Sequence, residues 1–458
     1  MSIRYCPGCL EKQQRINALE EKVASLEGKL RYQQRTAKEG AFGSSTPSSK
    51  VPVKANSLAE RQARRGGAPR GHPGHGRRAF SESEADRVQT VPLPDRCPSC
   101  GTALEAQDTD SRTVMDGEPM KVHKIVYRLP RKRCPRCKRF LRARAPGVLP
   151  KSLWGNGLLT HVVIQHYLRG VTLGSLAQQT GMAKGSLVAA LHRVARHFKD
   201  VPQRLAQEYR HAPVKHADET IWRTDGQNGY AWEFCAPQIT VLSLRKTRAA
   251  SVAKEVLGDQ PLPGVLVSDR YSAYNKAPCS LQYCYAHLLR DVQDLEKKFP
   301  DAPEVHRFVQ SLAPLLAEAM RLRTLPLSHR QFKRRAVRLK RKIIQINDQP
   351  ARHPGVQSVQ DIFRQYPHRL YHWTQNRNIP ADNNFAEREL RPLVIARKIS
   401  FGSQSDAGAK TREILMSIVR TLHKRTPDVN TAFRSVLDQL AQHPALDPFA
   451  LLFPPDTS

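Results

Sequence analysis

Two Cys-x-x-Cys turns, Cys97-Pro-Ser-Cys100 and Cys134-Pro-Arg-Cys137, place the tightest constraint on how this chain folds. Each turn presents two sulfurs from one short loop, and two turns supply the four thiolates that tetrahedral structural zinc requires. The 33 residues between the pairs exceed the usual gap of a zinc ribbon, and four free thiols are the alternative. VHKIVYRLP in that gap has strand character, so residues 86–150 are expected to form a small zinc-finger module. Nine cysteines in 458 residues are too few for a disulfide framework. A further pair, Cys6 and Cys9, has no second pair nearby; metal held across a dimer or with the histidines of the following linker is one reading, two unpaired thiols the other.

Charge comes next. Lys and Arg total 74 against 41 Asp and Glu, a formal net charge of +33. That balance calls for a polyanionic partner, nucleic acid first. A membrane surface is the rival, yet no apolar run approaches the ~18 residues of a spanning helix. The N-terminal MSIRYCPGCLEK lacks the apolar core of a signal peptide, so a cytoplasmic, nucleoid-associated protein is expected. Between 121 and 144 there are eleven Lys/Arg and no acids, among them Arg131, Lys132 and Arg133. Overlapping a cysteine turn, this run reads as a phosphate-binding surface. A second run, 330–342, holds eight Lys/Arg and no acids.

The chain divides into segments of different character, a multidomain α+β protein. In 1–39, Ile16, Leu19, Val23, Leu26 and Leu30 alternate steps of three and four, a short coiled-coil seam that predicts a dimerising helix. A solvated helix, or one packed on its own domain, is the alternative. Residues 40–85 are a basic Gly/Ser/Pro/Arg linker; its His72 and His75 read as solvated residues, with metal ligation the alternative. Within 151–205, LLTHVVIQHYL carries one apolar face. Then LGSLAQQTGMAKGSLVAALHRVARHF reads as helix, turn at Gly181, and a second helix starting near Ser186. This is the outline of a helix-turn-helix, although any helical hairpin shares it. Residues 206–405 alternate strands and helix: VKHADETIWR, YAWEFCAP and ITVLSLRK, a helix over 247–258, then GVLVSDRY and SLQYCYAH. That order predicts a mixed α/β sheet. Residues 286–376 are mostly helical, and 383–398 and 408–442 are helices closing the domain, with 406–458 a C-terminal helical region.

Three carboxylates stand out by position: Asp218 in the first of these strands, Asp269 ending the fourth, and Glu387 in a helix that begins near Asp382 and Asn383. Carboxylates at the ends of adjacent strands, with a third on a covering helix, make a hard-oxygen pocket for Mg²⁺ or Mn²⁺. Two such ions can flank a phosphodiester. Glu219 would point to the opposite face of its strand. Glu389, about 200° from Glu387 around the helix, reads as a surface carboxylate that pairs with a neighbouring Arg. Arg388, Arg391, Arg397 and Lys398 supply positive charge to hold a DNA strand or to neutralise the carboxylates.

The segments HADETIWR, LVSDRYSAYN, CYAHLLRD and DNNFAERELRPLVIARKISFGSQSDAGAKTREILMSIVRT together resemble the insertion-sequence sixty-six family of bacterial DDE transposases. The likeness extends to the N-terminal helix, the RGHPGHGRR linker, the cysteine module and the helical segment. It implies an RNase H-like catalytic core interrupted by a helical insertion at about 295–378, and Mg²⁺-dependent cutting and joining of DNA. Matched motif by motif, the triad falls on Asp218, Asp269 and Glu387. These are 51 and 118 residues apart, and the second gap is long enough for the insertion. SFGSQSDAGA is more polar than the aromatic stretch the resemblance leads one to expect. Cys284 and His287 match a Cys-x-x-His element, which places His287 near the scissile phosphate; a core cysteine and a helix start are the alternative. The implied activity is binding of the element's ends, hydrolysis of the 3′-end phosphodiester, and attack of the freed 3′-OH on target DNA. A homodimer is the expected form, and accessory proteins of the same element are candidate partners. The competing readings are a catalytically inactive zinc and helix-turn-helix regulator and an RNase H-like nuclease without strand transfer; the presence of all three carboxylates favours the transposase.

Overall fold

The computed structural model describes residues 80–118 and 121–454, together with Lys12, Arg15, Ile16, Leu19, Glu20, Lys22 and Val23. The chain forms two compact units, Met1–Lys54 and Ala55–Ser458. In the first, the described residues are helical, and Ile16, Leu19 and Val23 are exposed. Leu26 and Leu30, the Cys6/Cys9 pair, His72 and His75 lie outside the described residues.

The second unit opens with four strands: β1 (Arg87–Thr90), β2 (Glu105–Glu118), β3 (Lys121–Arg133) and β4 (Phe140–Arg142). β2 and β3 form one long antiparallel hairpin in which Glu105 faces Arg133. That register accounts for the long gap between the cysteine pairs. Cys97 and Cys100 precede β2, Cys134 and Cys137 follow β3, and the hairpin returns them to the same end. Both turns reach the left-handed region just after their second cysteine, at Gly101 (φ 69°) and Lys138 (φ 57°). β2 is hard to see in the sequence because EAQDTDSRTVMDGE is polar, and of its residues with described side chains only Val114 is buried. Val114 joins Ile125, Tyr127, Leu129 and Val148 in a small core of its own.

Helices α1 (Asn156–Tyr167), α2 (Leu173–Thr180), α3 (Lys184–His197) and α4 (Val201–His211) follow. The sequence predicts one apolar face on α1. Instead Leu158, Leu159, Val162, Val163, Ile164 and Tyr167 are all buried, because α1 is enclosed by the hairpin and later helices. Its N-terminus has no capping side chain of its own; Asp116 of β2 accepts from the Leu158 N–H at 3.1 Å. A Cβ at Gly155 would lie 2.4 Å from that carboxylate carbon, so the approach needs glycine there. Between α2 and α3 the turn is at Gly181 (φ 68°), as expected, but α3 starts at Lys184 after Ala183. Ser186 is therefore an exposed residue of the first turn, not the cap.

The main sheet has five strands: β5 (Val214–Ile221), β6 (Tyr230–Ala236), β7 (Ile239–Arg245), then α5 (Ala250–Leu257), β8 (Val265–Ser268) and β9 (Ser280–Tyr283). In space the order is β7-β6-β5-β8-β9. β6 is antiparallel to both of its neighbours; β5, β8 and β9 run parallel. Four helices then gather around a separate core that includes Val292, Leu312, Leu339 and Phe363: α6 (Tyr285–Lys298), α7 (Pro303–Leu322), α8 (His329–Asp348) and α9 (Pro354–Gln365).

The chain returns to the sheet with α10 (Asn384–Ser400), α11 (Asp406–Arg425), α12 (Val429–Gln442) and α13 (Pro448–Leu452). The helical reading of 408–442 resolves into two helices, because Pro427 cannot continue the first and Asp428 caps the second through the Thr431 N–H. α11 runs along the free edge of β7. Thr421 Oγ1, Ser417 Oγ and a Glu413 carboxylate oxygen accept from the backbone N–H groups of Thr240, Leu242 and Leu244. Four helical residues rise about 6 Å and two strand residues about 6.8 Å, so the two ladders stay in step. The edge donors are thereby satisfied and closed to another strand. One core joins α1–α4, this sheet and α11–α13.

Candidate active site

β5 is the central strand, and it pairs in parallel with β8 from Val214 opposite Val265 to His216 opposite Val267. Carrying that register two residues further sets Asp218 beside Asp269, the residue immediately after β8. Glu387 lies in the first turn of α10, which packs across β5. Asp218 is half-buried, and its carboxyl is held well above the usual carboxylate range. Burial is the main cause; the negative charges of Glu219 and Asp269 add to it, and Glu387 contributes as well. Among the described residues, the four cysteines are the only set of three or more metal-ligating side chains with all ligand atoms within 4.8 Å. The three carboxylates share one field but are not drawn together as ligands of a single ion.

A buried clasp fixes Glu387 relative to Asp218. Asn383, just before α10, accepts from His216 Nδ1 at 2.9 Å and donates to the Ala217 carbonyl at 2.9 Å. Its backbone N–H donates to Cys284 Sγ at 3.1 Å. Burial holds His216 down at about 4, so its imidazole is neutral near pH 7 and Nδ1–H is the donor. The strand residues gripped by Asn383 are the two that precede Asp218, and Glu387 is one helical turn beyond Asn383.

His287 stands in the first turn of α6, with Cys284 as the preceding cap residue. Its Nδ1 is 3.9 Å from a Glu387 carboxylate oxygen, and this nitrogen is buried without a hydrogen-bond partner. Burial and the Arg290 charge lower its pKa, against the opposing pull of Asp269, Glu387 and Asp291. Arg290, one turn along α6, pairs with Glu387 at 2.9 Å. Arg290 is a further residue of the site; its spacing of three from His287 within CYAHLLRD is the one signal in the sequence that places both on one helix face. Cys284 is buried, with its thiol pushed up to about 12 by burial; it serves as an acceptor for the clasp.

Glu219 points to the opposite face of β5, as alternation requires. There Arg248 pairs with it at 2.6 Å and the Tyr274 hydroxyl donates to it at 2.6 Å. Glu389 corrects the expectation of a surface carboxylate beside a neighbouring Arg. It is half-buried and binds Arg420 and Lys424 of α11 at 3.0 and 2.8 Å. Arg420 also reaches the fully buried Glu233 at 2.8 Å.

The cations named from the sequence take different positions. Arg388, Arg391 and Lys398 lie along one exposed stripe of α10 with Ile395 and Ile399. Arg397 is turned inward and donates to Thr220 Oγ1 at 2.7 Å and to the Ile221 carbonyl at 2.8 Å. It ties α10 to the end of β5. Arg131 forms a two-point pair with Asp108, Lys132 pairs with Asp95 at 3.1 Å, and Arg133 sits over the Phe140 ring. The polar SFGSQS stretch is pinned to the loop after β5. Ser403 exchanges backbone hydrogen bonds with Arg223 and Asp225, and the Trp222 indole donates to its hydroxyl. At Gly402 (φ 115°) a Cβ would lie 2.0 Å from the Arg223 carbonyl oxygen, which only glycine avoids.

In the cysteine module, the sulfurs of Cys100 and Cys134 are 3.3 Å apart and those of Cys97 and Cys137 are 3.8 Å apart. Four thiolates about 2.3 Å from a tetrahedral zinc would be separated by about 3.8 Å. The donor set and its spacing fit structural zinc, and Cys97 and Cys134 are buried as such a site requires.

Comparison with known proteins bears on both sites. The family model described as Transposase IS66 family matches residues 151–411, more than half of the chain. A second model, the zinc-finger binding domain of transposase IS66, matches residues 94–138. The chain belongs to the IS66 family of DDE transposases. A similar chain, named Uncharacterized protein y4jD, from Sinorhizobium fredii (strain NBRC 101917 / NGR234), is 24% identical over 399 residues, covering 75% of this chain and 74% of that protein.

Proposed function

We propose that this protein binds the ends of its insertion sequence, hydrolyses the 3′-end phosphodiester and joins the freed 3′-OH to target DNA, with Asp218, Asp269 and Glu387 as the catalytic carboxylates. The observation that carries this reading is the placement of Asp218, inside β5, beside Asp269, just past the end of the parallel neighbour β8, under the helix bearing Glu387, in a field that already disfavours charge on Asp218. Such a field fits hard divalent cations, and these residues would hold Mg²⁺ or Mn²⁺. When bound, the ions stabilise the attacking and leaving oxygens of a phosphodiester. The chain's own part is positioning. The Asn383 clasp sets the spacing of strand and helix, and Arg290 pairs with Glu387. His287, with its buried unpartnered nitrogen, is placed to hold a proton or a phosphate oxygen beside Glu387.

The strand order and the helices inserted between β9 and α10 support an RNase H-like core with a helical insertion. We assign the zinc-finger module to 86–150, the helix-turn-helix-like segment to 151–205, the core to 206–405 with its insertion at about 295–378, and a C-terminal helical region to 406–458. Arg131, Lys132, Arg133, Arg388, Arg391 and Lys398 are proposed phosphate contacts, and Arg397 is a strut of the site. The exposed stripe Ile16, Leu19 and Val23 in the first unit supports pairing of two chains through 1–39. Among the described residues no helix is long and apolar enough to cross a membrane. The test is cleavage of duplexes carrying the terminal repeats that flank the gene. Mg²⁺-dependent nicking at the repeat's 3′ end followed by joining is the expected result; binding without cutting would favour a regulator, and cutting without joining a nuclease.

A further inference from the structure

A cavity of about 430 Å³ opens on the side of α10 next to the carboxylates, between the end of α1, the last turn of α11 and the start of α12. Its floor is the Arg420–Glu389–Lys424 network. Arg169, Arg388 and His423 stand exposed at its mouth. Among the described residues, Arg169 and Arg388 have no ion pair. Four cationic side chains line the cavity against one carboxylate. Even when the buried Glu233, which also pairs with Arg420, is counted, two positive charges are uncompensated. Two unpaired guanidiniums at one concave site match the fork geometry that phosphate oxygens accept. The volume lies within the range of formed ligand sites, about 300–1,000 Å³.

Position narrows the ligand. Arg388 follows Glu387 directly, so the cavity and the carboxylates occupy neighbouring faces of α10 at the same height, about 100° apart. Arg169 belongs to the turn that leads from α1 into α2 and the helix-turn-helix-like pair. We propose that this cavity is a phosphate site for the DNA strand that enters the carboxylate site, with Arg169 and Arg388 as its charged ligands. It extends the DNA path from the catalytic helix towards α2 and α3. The inference rests on the DNA-processing reading for the identity of the polyanion.

The test is binding of a random-sequence duplex of about 40 base pairs, titrated with KCl in buffer free of divalent ions, so that no cleavage is needed. Each lost phosphate contact flattens the slope of log affinity against log salt by about 0.9. Arg169→Ala is expected to flatten it by that amount and the Arg169→Ala, Arg388→Ala double variant by about twice as much. Both variants should melt with the wild type, because these side chains are exposed. An unchanged slope in the double variant overturns the site. Inorganic phosphate at fixed ionic strength separates the other source of the anion: if it raises the wild-type melting temperature while the variants keep the wild-type DNA slope, the cavity takes a small anion and the DNA assignment falls. Failure of cleavage with a flattened slope would count against the proposed activity alone.

Discussion

Replacing Asn383 by Ala tests whether the active site is set by one buried amide. The side chain makes two hydrogen bonds, to His216 Nδ1 and to the Ala217 carbonyl, each at 2.9 Å, and Asn383 is 1% exposed. Their net worth is about 1 kcal/mol each, and the truncation leaves a buried imidazole N–H and a strand carbonyl with reduced pairing, so roughly 3 kcal/mol of stability should be lost. For a core of 150–250 residues this lowers the melting temperature by about 6–12 °C. The kinetic effect should be larger. Glu387 is one turn from the lost contact, and a displacement near 1 Å costs on the order of 10²-fold in rate. The assay is single-turnover cleavage of end-containing duplex, with binding measured separately: kcat falls and Kd does not. An unchanged melting temperature in Asn383→Ala would refute the clasp; a lower melting temperature with wild-type cutting would refute its positioning role.

Zinc content measured by elemental analysis should be one ion per chain and should be lost when Cys134→Ser and Cys137→Ser are combined, because both turns are needed to close the tetrahedron. Arg420→Ala should cost about 3–5 kcal/mol in denaturant unfolding, since it leaves Glu233 buried without its cation. Glu389→Gln should cost less, about 1–2 kcal/mol, and leave cleavage intact, because Glu389 faces α11 and not Asp218. His166 is held down to about 4 by burial. A base whose folded pKa is depressed favours the folded state when neutral, so its contribution is present above about pH 6.5 and is lost as pH falls towards 4. His166→Gln should reduce the acid-induced drop in melting temperature across that window.

The repeating signals of the sequence were the legible ones. The strand character of VKHADETIWR, YAWEFCAP and ITVLSLRK matches β5 to β7 closely, because these segments are rich in β-branched and aromatic residues and hold no Gly or internal Pro. β2 was missed for the opposite reason: it is polar, and β3 beside it supplies most of the apolar contacts. The start of α3 was misplaced because serine is a good cap in general, whereas tertiary packing of Met182 and Leu187 sets where this helix begins. That Asp218 and Asp269 sit on adjacent strands is within reach once the strands are in order, although Asp218 lies inside β5 and only Asp269 follows a strand end. The clasp and Arg290 are not within reach, since Asn383 is 167 residues from His216 and Arg290 is 97 from Glu387. No local pattern marks such pairs. Arg397 and Glu389 show the same limit: an exposed and a buried charge look alike in sequence.

The most direct measurement is divalent-dependent cutting by Asp218→Asn, Asp269→Asn and Glu387→Gln, each compared with wild type on a duplex carrying the element's terminal repeat. Each change keeps side-chain shape and removes an anionic oxygen that a hard cation needs. The account predicts that all three abolish cleavage with Mg²⁺ and with Mn²⁺ while DNA binding stays at or slightly above the wild-type level. Normal cutting by any one of them would contradict its place in the site, and normal cutting by all three would contradict the catalytic reading altogether.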